Sequence, residues 1–217
     1  MPDFALRRTL MVDTQVRPSD VTKFPIIEAM LAVPREDFVP AALREAAYMG
    51  ENVDLGAGRV VLEPRTFAKM LDLLDIQPDE MVLDLGSGLG YSAAVLSRLA
   101  EAVVAVEPDP AWAKEAESGL AEAAADNVAV VEGDLADGAP QHGPYNAILV
   151  QGGVETVPAA LLDQLLDGGR IAAVFMEGAL GVCRIGFKSG RTVSWRDGFN
   201  AAAPVLQGYE HDQAFAL

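Results

Sequence analysis

The sequence contains few cysteines and histidines, and this shortage excludes several kinds of site. A single cysteine, Cys183, rules out an internal disulfide and any metal site built from several cysteines. It lies in an apolar stretch, so we expect it in the core. The two histidines, His142 and His211, are far apart in sequence and form no metal-binding or catalytic motif. We therefore predict no metal site.

Long apolar runs are also missing. None approaches the roughly 18 residues that a membrane span needs, and the first ten residues carry charges where a signal peptide would be apolar. The 217 residues, 51% of them hydrophobic, are enough to bury a substantial core. We expect one compact, cytoplasmic unit with no membrane partner.

Basic residues are half as frequent as acidic ones. There are 16 lysines and arginines against 32 aspartates and glutamates, which gives a net charge of −16. Such a field opposes binding to phosphate backbones, and the sequence shows no basic run longer than Arg7-Arg8. We therefore predict no nucleic-acid partner.

Residues 82–91, with the sequence VLDLGSGLGY, are the stretch around which the chain is organised. An apolar run with a carboxylate, Asp84, is followed by three glycines at alternate positions, and an apolar-periodic segment begins at Tyr91. This pattern predicts a strand, a tight turn and a helix. Glycine allows positive φ and close approach of a ligand, and the first N–H groups of the helix face the turn. A nucleotide-like cofactor is expected there.

Charge and spacing indicate which cofactor. The dinucleotide fingerprint G-x-G-x-x-G needs Gly or Ala where this chain has Tyr91, and the third glycine comes one place early, at Gly90. No Lys-Ser/Thr pair follows, so the phosphate-loop pattern also fails. Asp84 would repel a pyrophosphate but suits a ligand that carries an ammonium and a sulfonium. S-adenosyl-L-methionine is such a ligand.

Two more carboxylates follow the next two apolar runs. Glu107 lies about twenty residues beyond the glycines, where an acidic side chain accepts hydrogen bonds from ribose hydroxyls, and Asp134 follows the third run. Three carboxylates at consecutive strand ends lie at the edge where open α/β sheets bind ligands. The pattern resembles the class I methyltransferase fold.

The order of predicted elements gives the fold class. Strands and helices alternate through the middle of the chain, which predicts an α/β, Rossmann-like, doubly wound, mainly parallel sheet with helices on both faces. Hairpin-like alternation predicts an antiparallel C-terminal edge. We divide the chain into a helical N-terminal extension with an acceptor-side loop (1–78), a cofactor-binding core (79–178) and C-terminal antiparallel strands (179–217).

Outside the sheet the local predictions are as follows. We expect an extended arm at 15–18, a helix capped by Asp20 or Thr22, and another helix at 41–49. A glycine-bearing loop is predicted at 52–63, a helix that opens at Pro64, and a further helix at 158–166.

Three runs of residues resemble one particular family that has this fold. Residues 11–18 (MVDTQVRP), 29–40 (AMLAVPREDFVP) and 161–170 (LLDQLLDGGR) are similar to the protein-L-isoaspartate O-methyltransferase family, and the resemblance covers residues 9–175. It implies methyl transfer from S-adenosyl-L-methionine to the carboxylate left when Asn or Asp isomerises in damaged proteins. It also implies cofactor contacts at the turn, the ribose and the adenine-side loop: Asp84, Gly86, Ser87, Gly88, Tyr91, Glu107, Asp134 and Leu135.

The acceptor side departs from that family. Its loop resembles Thr-Ile-Ser-Gln-Pro, with the Ser between cofactor and substrate, but residues 60–64 read VVLEP here. Leu62 supplies no hydrogen-bond donor to a carboxylate, and an ionised Glu63 would repel one. The run QGGV at 151–154 also differs from a Thr-Ala-Ala-Ala-like run. The acceptor-side candidates are Val60, Leu62, Glu63 and Gln151.

Three functions stay open at this point. The first is a carboxyl methyltransferase that acts on proteins or peptides with isoaspartyl residues, which needs no general base because a carboxylate is already a nucleophile. The second is a related methyltransferase for a small or less anionic acceptor, in which Glu63 is the candidate base. The third is a protein that binds the cofactor without turnover. The sequence predicts no oligomeric state.

Overall fold

The computed structural model describes residues 3–211. Its helices are α1 (Phe4–Met11), α2 (Phe24–Ala32), α3 (Pro64–Leu74), α4 (Tyr91–Leu96), α5 (Pro110–Glu122) and α6 (Ala159–Leu162). Its strands are β1 (Val53–Gly56), β2 (Arg59–Val61), β3 (Met81–Leu85), β4 (Ala102–Glu107), β5 (Val128–Glu132), β6 (Tyr145–Val154), β7 (Leu165–Glu177), β8 (Leu180–Ser189) and β9 (Thr192–Asn200). Within these residues no helix has both the length and the apolar character needed to cross a membrane.

The central sheet of the described residues has the order β5-β4-β3-β6-β7-β8-β9. Strands β3 to β7 run parallel to their neighbours, and β8 and β9 are antiparallel, as predicted. The chain runs outward from β3 to β5 and then returns to place β6 beside β3. This reversal creates the topological switch point at which such sheets bind ligands.

Both faces of the sheet are buried. Along β3, Val82 packs in one hydrophobic cluster, whereas Leu83 and Leu85 pack in the other, on the opposite face. A strand covered on both faces needs apolar residues at consecutive positions, which explains why every residue of β3 except Asp84 is apolar. Burial also raises the pKa of the Cys183 thiol to about 12, and Cys183 lies in the core as expected.

The N-terminal arm is helical, so the predicted extended arm at 15–18 is wrong. A π-helical segment, Val12–Val16, follows α1 directly, and a 3₁₀ turn, Arg17–Ser19, continues it. Both valines are fully buried, and helical backbone keeps them together on the side that faces the core. The hydroxyl of Ser19 donates to the carbonyl of Gln15, which provides this carbonyl oxygen with a hydrogen-bond donor.

Other local predictions also need correction. Helix α2 is preceded by Lys23 without a side-chain cap, so neither Asp20 nor Thr22 caps it. The predicted helix at 41–49 is a 3₁₀ segment, Ala41–Ala46, and the predicted helix at 158–166 is shortened to α6 because β7 already begins at Leu165.

The predicted loop at 52–63 is a β-hairpin. Strands β1 and β2 pair antiparallel and, among residues 3–211, form a sheet of their own. Val53, Val60 and Val61 are all buried, so packing of β-branched residues against the core favours extended backbone here. The three turn residues, 56–58, all have positive φ. The hairpin lies over the carboxyl end of β3, where the candidate site is found.

Candidate active site

The glycine turn after β3 has the conformation that its sequence predicts. Gly86, Gly88 and Gly90 have φ of 81°, 57° and 99°, a region that other residues rarely adopt. The N–H of Gly86 donates to the carbonyl of Val106 at 3.0 Å, which fixes the turn against β4. Helix α4 then begins at Tyr91, so the turn and the start of the helix form one end of the site.

Asp84 lies at the switch point of the sheet and is completely buried. Ser92 Oγ donates to its carboxylate at 2.5 Å, and Gln151 Nε2, from β6, donates at 2.9 Å. Burial raises the pKa of Asp84 to about 6, although both hydrogen bonds and the charge of Arg59 oppose this rise. The carboxylate therefore provides a negative charge beneath the turn at neutral pH.

Glu107 ends β4 and is also completely buried. The N–H of Gly88 donates to its Oε2 at 2.8 Å, and the N–H of Asp109 donates to Oε1 at 3.2 Å. Arg59, from the hairpin, binds both carboxylate oxygens, at 3.2 and 2.8 Å. The predicted ribose ligand is thus held in place by the glycine turn and already has an ionic partner.

A cleft of about 570 Å³ extends from Glu107 along the carboxyl ends of β4 and β5. Trp112 lies in its wall because Asp109 caps the first turn of α5 by accepting the N–H of Trp112 at 3.1 Å. Asp134 and Leu135 form another wall, with Leu135 buried and Asp134 exposed. The cleft therefore brings together the three residues predicted for the ribose and the adenine.

A second, small internal cavity lies between β2 and the glycine turn. It is lined by residues of both predicted groups, cofactor and acceptor: Val60, Leu62, Gly86, Ser87, Tyr91 and Gln151. The hydroxyls of Ser87 and Tyr91 are buried and have no hydrogen-bond partner among residues 3–211. This cavity has a volume of only about 10 Å³, so the two hydroxyls have room between them for a group no larger than about one water molecule.

Hydrogen bonds hold the acceptor-side loop in place, and Glu63 lines neither the cleft nor the internal cavity. Leu62 is 1% exposed, and its carbonyl accepts a hydrogen bond from the buried Arg35 at 2.8 Å. Glu63 precedes α3 and accepts a hydrogen bond from the hydroxyl of Thr66 at 2.6 Å, with Arg65 at 3.7 Å. These contacts favour a structural role for Glu63 over that of a base.

Comparison with a family model shows to which family the chain belongs. The model of the protein-L-isoaspartate(D-aspartate) O-methyltransferase family matches residues 8–179. The chain belongs to this family. Its members are methyltransferases that use S-adenosyl-L-methionine, so the predicted family, enzyme class and cofactor are confirmed.

Individual members of the family are similar over most of their length. Protein-L-isoaspartate O-methyltransferase 2 of Pelobacter propionicus is 37% identical over 185 residues, which are 83% of this chain and 82% of the relative. The protein-L-isoaspartate O-methyltransferase of a Synechococcus species is 40% identical over 168 residues, which are 77% of this chain and 69% of the relative.

Solved structures confirm the predicted fold class. A protein-L-isoaspartate O-methyltransferase structure matches with a TM-score of 0.80 at 25% identity and covers 94% of this chain, which spans 66% of that solved chain. A Plasmodium falciparum structure in complex with S-adenosyl-L-homocysteine gives a TM-score of 0.78 and covers 93% of this chain and 98% of its own. At 17% identity the second likeness shows the fold alone.

For this member of the protein-L-isoaspartate O-methyltransferase family, sequence reasoning assigned neither Arg59 nor Trp112 to the site, and both line the cleft. It also gave no role to the segment after β9. The Tyr209 hydroxyl donates to the carbonyl of Leu135 at 2.8 Å, and Val205 lines the cleft, so this segment completes the cleft wall beside Leu135. The predicted C-terminal portion at 212–217 lies outside the described residues.

The unusual run at 151–154 has a packing reason. A Cβ on Gly153 would lie 2.5 Å from the carbonyl oxygen of Ala203, and one on Gly152 would lie 2.6 Å from the side chain of Leu206. Glycine at both positions lets the C-terminal segment cross the end of β6, where Leu206 N–H donates to the carbonyl of Gly153 at 2.9 Å. The departure from the family pattern therefore positions the segment that closes the cleft.

Proposed function

We propose that this protein transfers a methyl group from S-adenosyl-L-methionine to the free carboxylate of isoaspartyl residues in damaged proteins. The observation that carries the proposal is the position of the glycine turn between two spaces: it lines one of them itself and reaches the other through Glu107, which accepts the N–H of Gly88. On one side lies the cleft beside Glu107, and on the other lies the internal cavity beside Leu62. Membership of the protein-L-isoaspartate O-methyltransferase family supports the choice of reaction and acceptor.

Each part of the cofactor has residues that fit it. Asp84, charged at neutral pH, favours the ammonium and sulfonium groups, and Gly86 and Gly88 allow close approach to the turn. Glu107 would accept the ribose hydroxyls, while Asp134 and Leu135 would flank the adenine. The cleft that Glu107, Asp134 and Leu135 line has a volume of about 570 Å³, which is within the range of small-molecule sites and provides an independent test of fit for the nucleoside part.

The reaction needs alignment more than acid or base catalysis. The cofactor supplies a methyl group on a sulfonium, and an ionised carboxylate oxygen takes that methyl directly while the carbon–sulfur bond breaks and its electron pair stays on sulfur. Because the acceptor is already ionised at neutral pH, no residue has to remove a proton. Leu62 and the other buried side chains around the internal cavity exclude water and restrict the approach of the acceptor.

A second candidate acceptor follows from Leu62. This side chain is buried against the glycine turn and offers no donor, and the amide nitrogen of Gln151 already donates to Asp84. A carboxylate acceptor would therefore find donors only in the Ser87 and Tyr91 hydroxyls, and the internal cavity of about 10 Å³ would have to widen to admit it. An acceptor that is smaller or less anionic is the alternative that this observation favours.

The test is transfer of a labelled methyl group to an isoaspartyl peptide, with the aspartyl peptide of the same sequence as the control. We expect a base-labile label on the isoaspartyl peptide alone. The double variant Leu62→Ser/Glu63→Gln restores the hydroxyl and removes the acid, and should raise activity on this peptide. If wild type binds S-adenosyl-L-homocysteine but labels neither peptide, the isoaspartyl proposal is wrong and a smaller or less anionic acceptor is favoured. A double variant that gains activity on the isoaspartyl peptide would favour that alternative more strongly.

A further inference from the structure

The ion pair between Arg59 and Glu107 uses the carboxylate that the cofactor ribose requires. Both Glu107 oxygens accept hydrogen bonds from the guanidinium, and each also accepts one from a backbone N–H, of Gly88 or Asp109. The side chains of Arg59 and Glu107 are 10% and 0% exposed. A ribose hydroxyl therefore has to take an acceptor position that Arg59 now holds.

The position of Arg59 points to the same competition. Its Nη2 lies 3.1 Å from the place that a Cβ on Gly86 would occupy. Leu55, on the same hairpin, lies with its Cδ1 2.7 Å from the corresponding place on Gly88. The side of the turn that glycine leaves open for a ligand is thus contacted by two side chains of the β1–β2 hairpin.

We propose that Arg59 competes with the cofactor ribose for Glu107 and thereby lowers the affinity of the site for its cofactor. The inference rests on the proposed role of Glu107 as ribose ligand. Charge-assisted bonds from a guanidinium to a carboxylate are stronger than those from a neutral hydroxyl. Binding must therefore exchange a strong partner for a weaker one, and the difference raises the dissociation constant.

The competition requires Arg59 to leave Glu107. Arg59 follows directly on the hairpin turn at 56–58, where the surrounding space is open: a Cβ added to Gly56 or Gly58 would meet no described atom within 4 Å. Arg59 Nε is buried without a partner among residues 3–211, so the present position leaves one donor unsatisfied. The guanidinium carbon also lies 5.7 Å from the ring centroid of Trp112 in the cleft wall, an aromatic face that can stabilise the cation once it leaves the carboxylate.

Titration calorimetry of wild type and Arg59→Gln with S-adenosyl-L-homocysteine tests this inference. We expect the dissociation constant of Arg59→Gln to be at least tenfold lower, which corresponds to about 1.4 kcal/mol. Without ligand the variant should melt at a lower temperature than wild type, because Glu107 loses its buried partner. Saturating ligand should then raise its melting temperature by more than it raises that of wild type.

Arg170→Gln is the matched control. Arg170 forms a two-pronged ion pair with Glu80 at 2.6 and 2.7 Å, with both side chains 13% exposed, just before β3 at the opposite edge of the sheet. This variant should lose stability but keep the wild-type dissociation constant. If Arg59→Gln is too unstable to titrate, Arg59→Lys takes its place in the experiment. Lysine keeps the positive charge but cannot bond to both carboxylate oxygens as the guanidinium does, so the dissociation constant should decrease by a smaller factor.

Three results would overturn the inference. An unchanged dissociation constant in Arg59→Gln would make the ion pair purely structural. A higher one would mean that Arg59 itself binds the cofactor. If neither wild type nor the variant binds S-adenosyl-L-homocysteine, the proposed cofactor role of the site is wrong as well, which distinguishes failure of the proposed function from failure of this inference alone.

Discussion

The buried carboxyl of Asp84 makes a specific prediction for the pH dependence of stability. Its pKa is raised from 3.8 to about 6, mainly by burial, and the hydrogen bonds from Ser92 and Gln151 only partly offset that rise. The folded protein therefore holds this proton more tightly than the unfolded chain does. The resulting stabilisation is fully present below pH 3.8 and is lost as the pH rises through about 6.

The size of the effect follows from the shift. A difference of about two pKa units corresponds to about 3 kcal/mol between the two limits, and to about 1 kcal/mol between pH 7.5 and pH 5. Asp84→Asn cannot titrate, and the Ser92 hydroxyl and the Gln151 amide can reorient to bond to its new amide. Relative to this variant, wild type should gain about 1 kcal/mol in free energy of unfolding when the pH is lowered from 7.5 to 5.

Urea denaturation at pH 5, 6 and 7.5, followed by tryptophan fluorescence, measures this difference. Subtracting Asp84→Asn from wild type at each pH removes the contribution of the other acidic residues, which titrate alike in both proteins. A difference that stays constant with pH, or one in which wild type loses stability relative to the variant on acidification, would refute the assignment of a raised pKa to Asp84.

Two further substitutions test the glycine turn and the C-terminal segment. Gly88→Ala forces a methyl group to φ 57° and to 2.7 Å from Leu55 Cδ1. It should lose at least 1–2 kcal/mol of stability in urea and bind S-adenosyl-L-homocysteine more weakly. Gly168→Ala, at φ 82° with no described atom within 4 Å, carries the strain without the contact and should bind normally. Equal binding by both variants would contradict close approach at Gly88. Tyr209→Phe removes the buried hydrogen bond to Leu135 and should cost about 1 kcal/mol in urea, and no change would show that this bond does not fasten the segment.

The hairpin links the proposed function to the further inference. Its second strand, β2, carries Arg59, whose side chain reaches Glu107 and the cleft, and leads directly into Leu62 at the internal cavity. A movement of β2 that releases Glu107 would therefore also change the space available to the acceptor. Substitutions at Arg59 are expected to affect acceptor selection as well as cofactor affinity, which makes the peptide assay informative for both positions.

Local sequence determined the centre of the site because its geometry depends on neighbours in the chain. Alternate glycines after an apolar strand form the turn, and Asp109 as the N-cap with Pro110 in the first turn starts α5. Parallel strands place their carboxyl ends at one edge, so strand order and spacing were enough to bring Glu107 and Asp134 to the same cleft. The helical arm was missed because the burial of Val16 depends on contacts with distant residues.

Tertiary structure decided which side chains face these positions. Arg59 reaches Glu107 across 48 positions of the chain, Gln151 reaches Asp84 across 67, and Tyr209 reaches Leu135 across 74. No periodicity or spacing rule connects residues so far apart, since their contact depends on how the hairpin, β6 and the C-terminal segment pack on the sheet. The sequence by itself thus determined the turn and its carboxylates, whereas packing determined the ionic partner of Glu107 and the closure of the cleft.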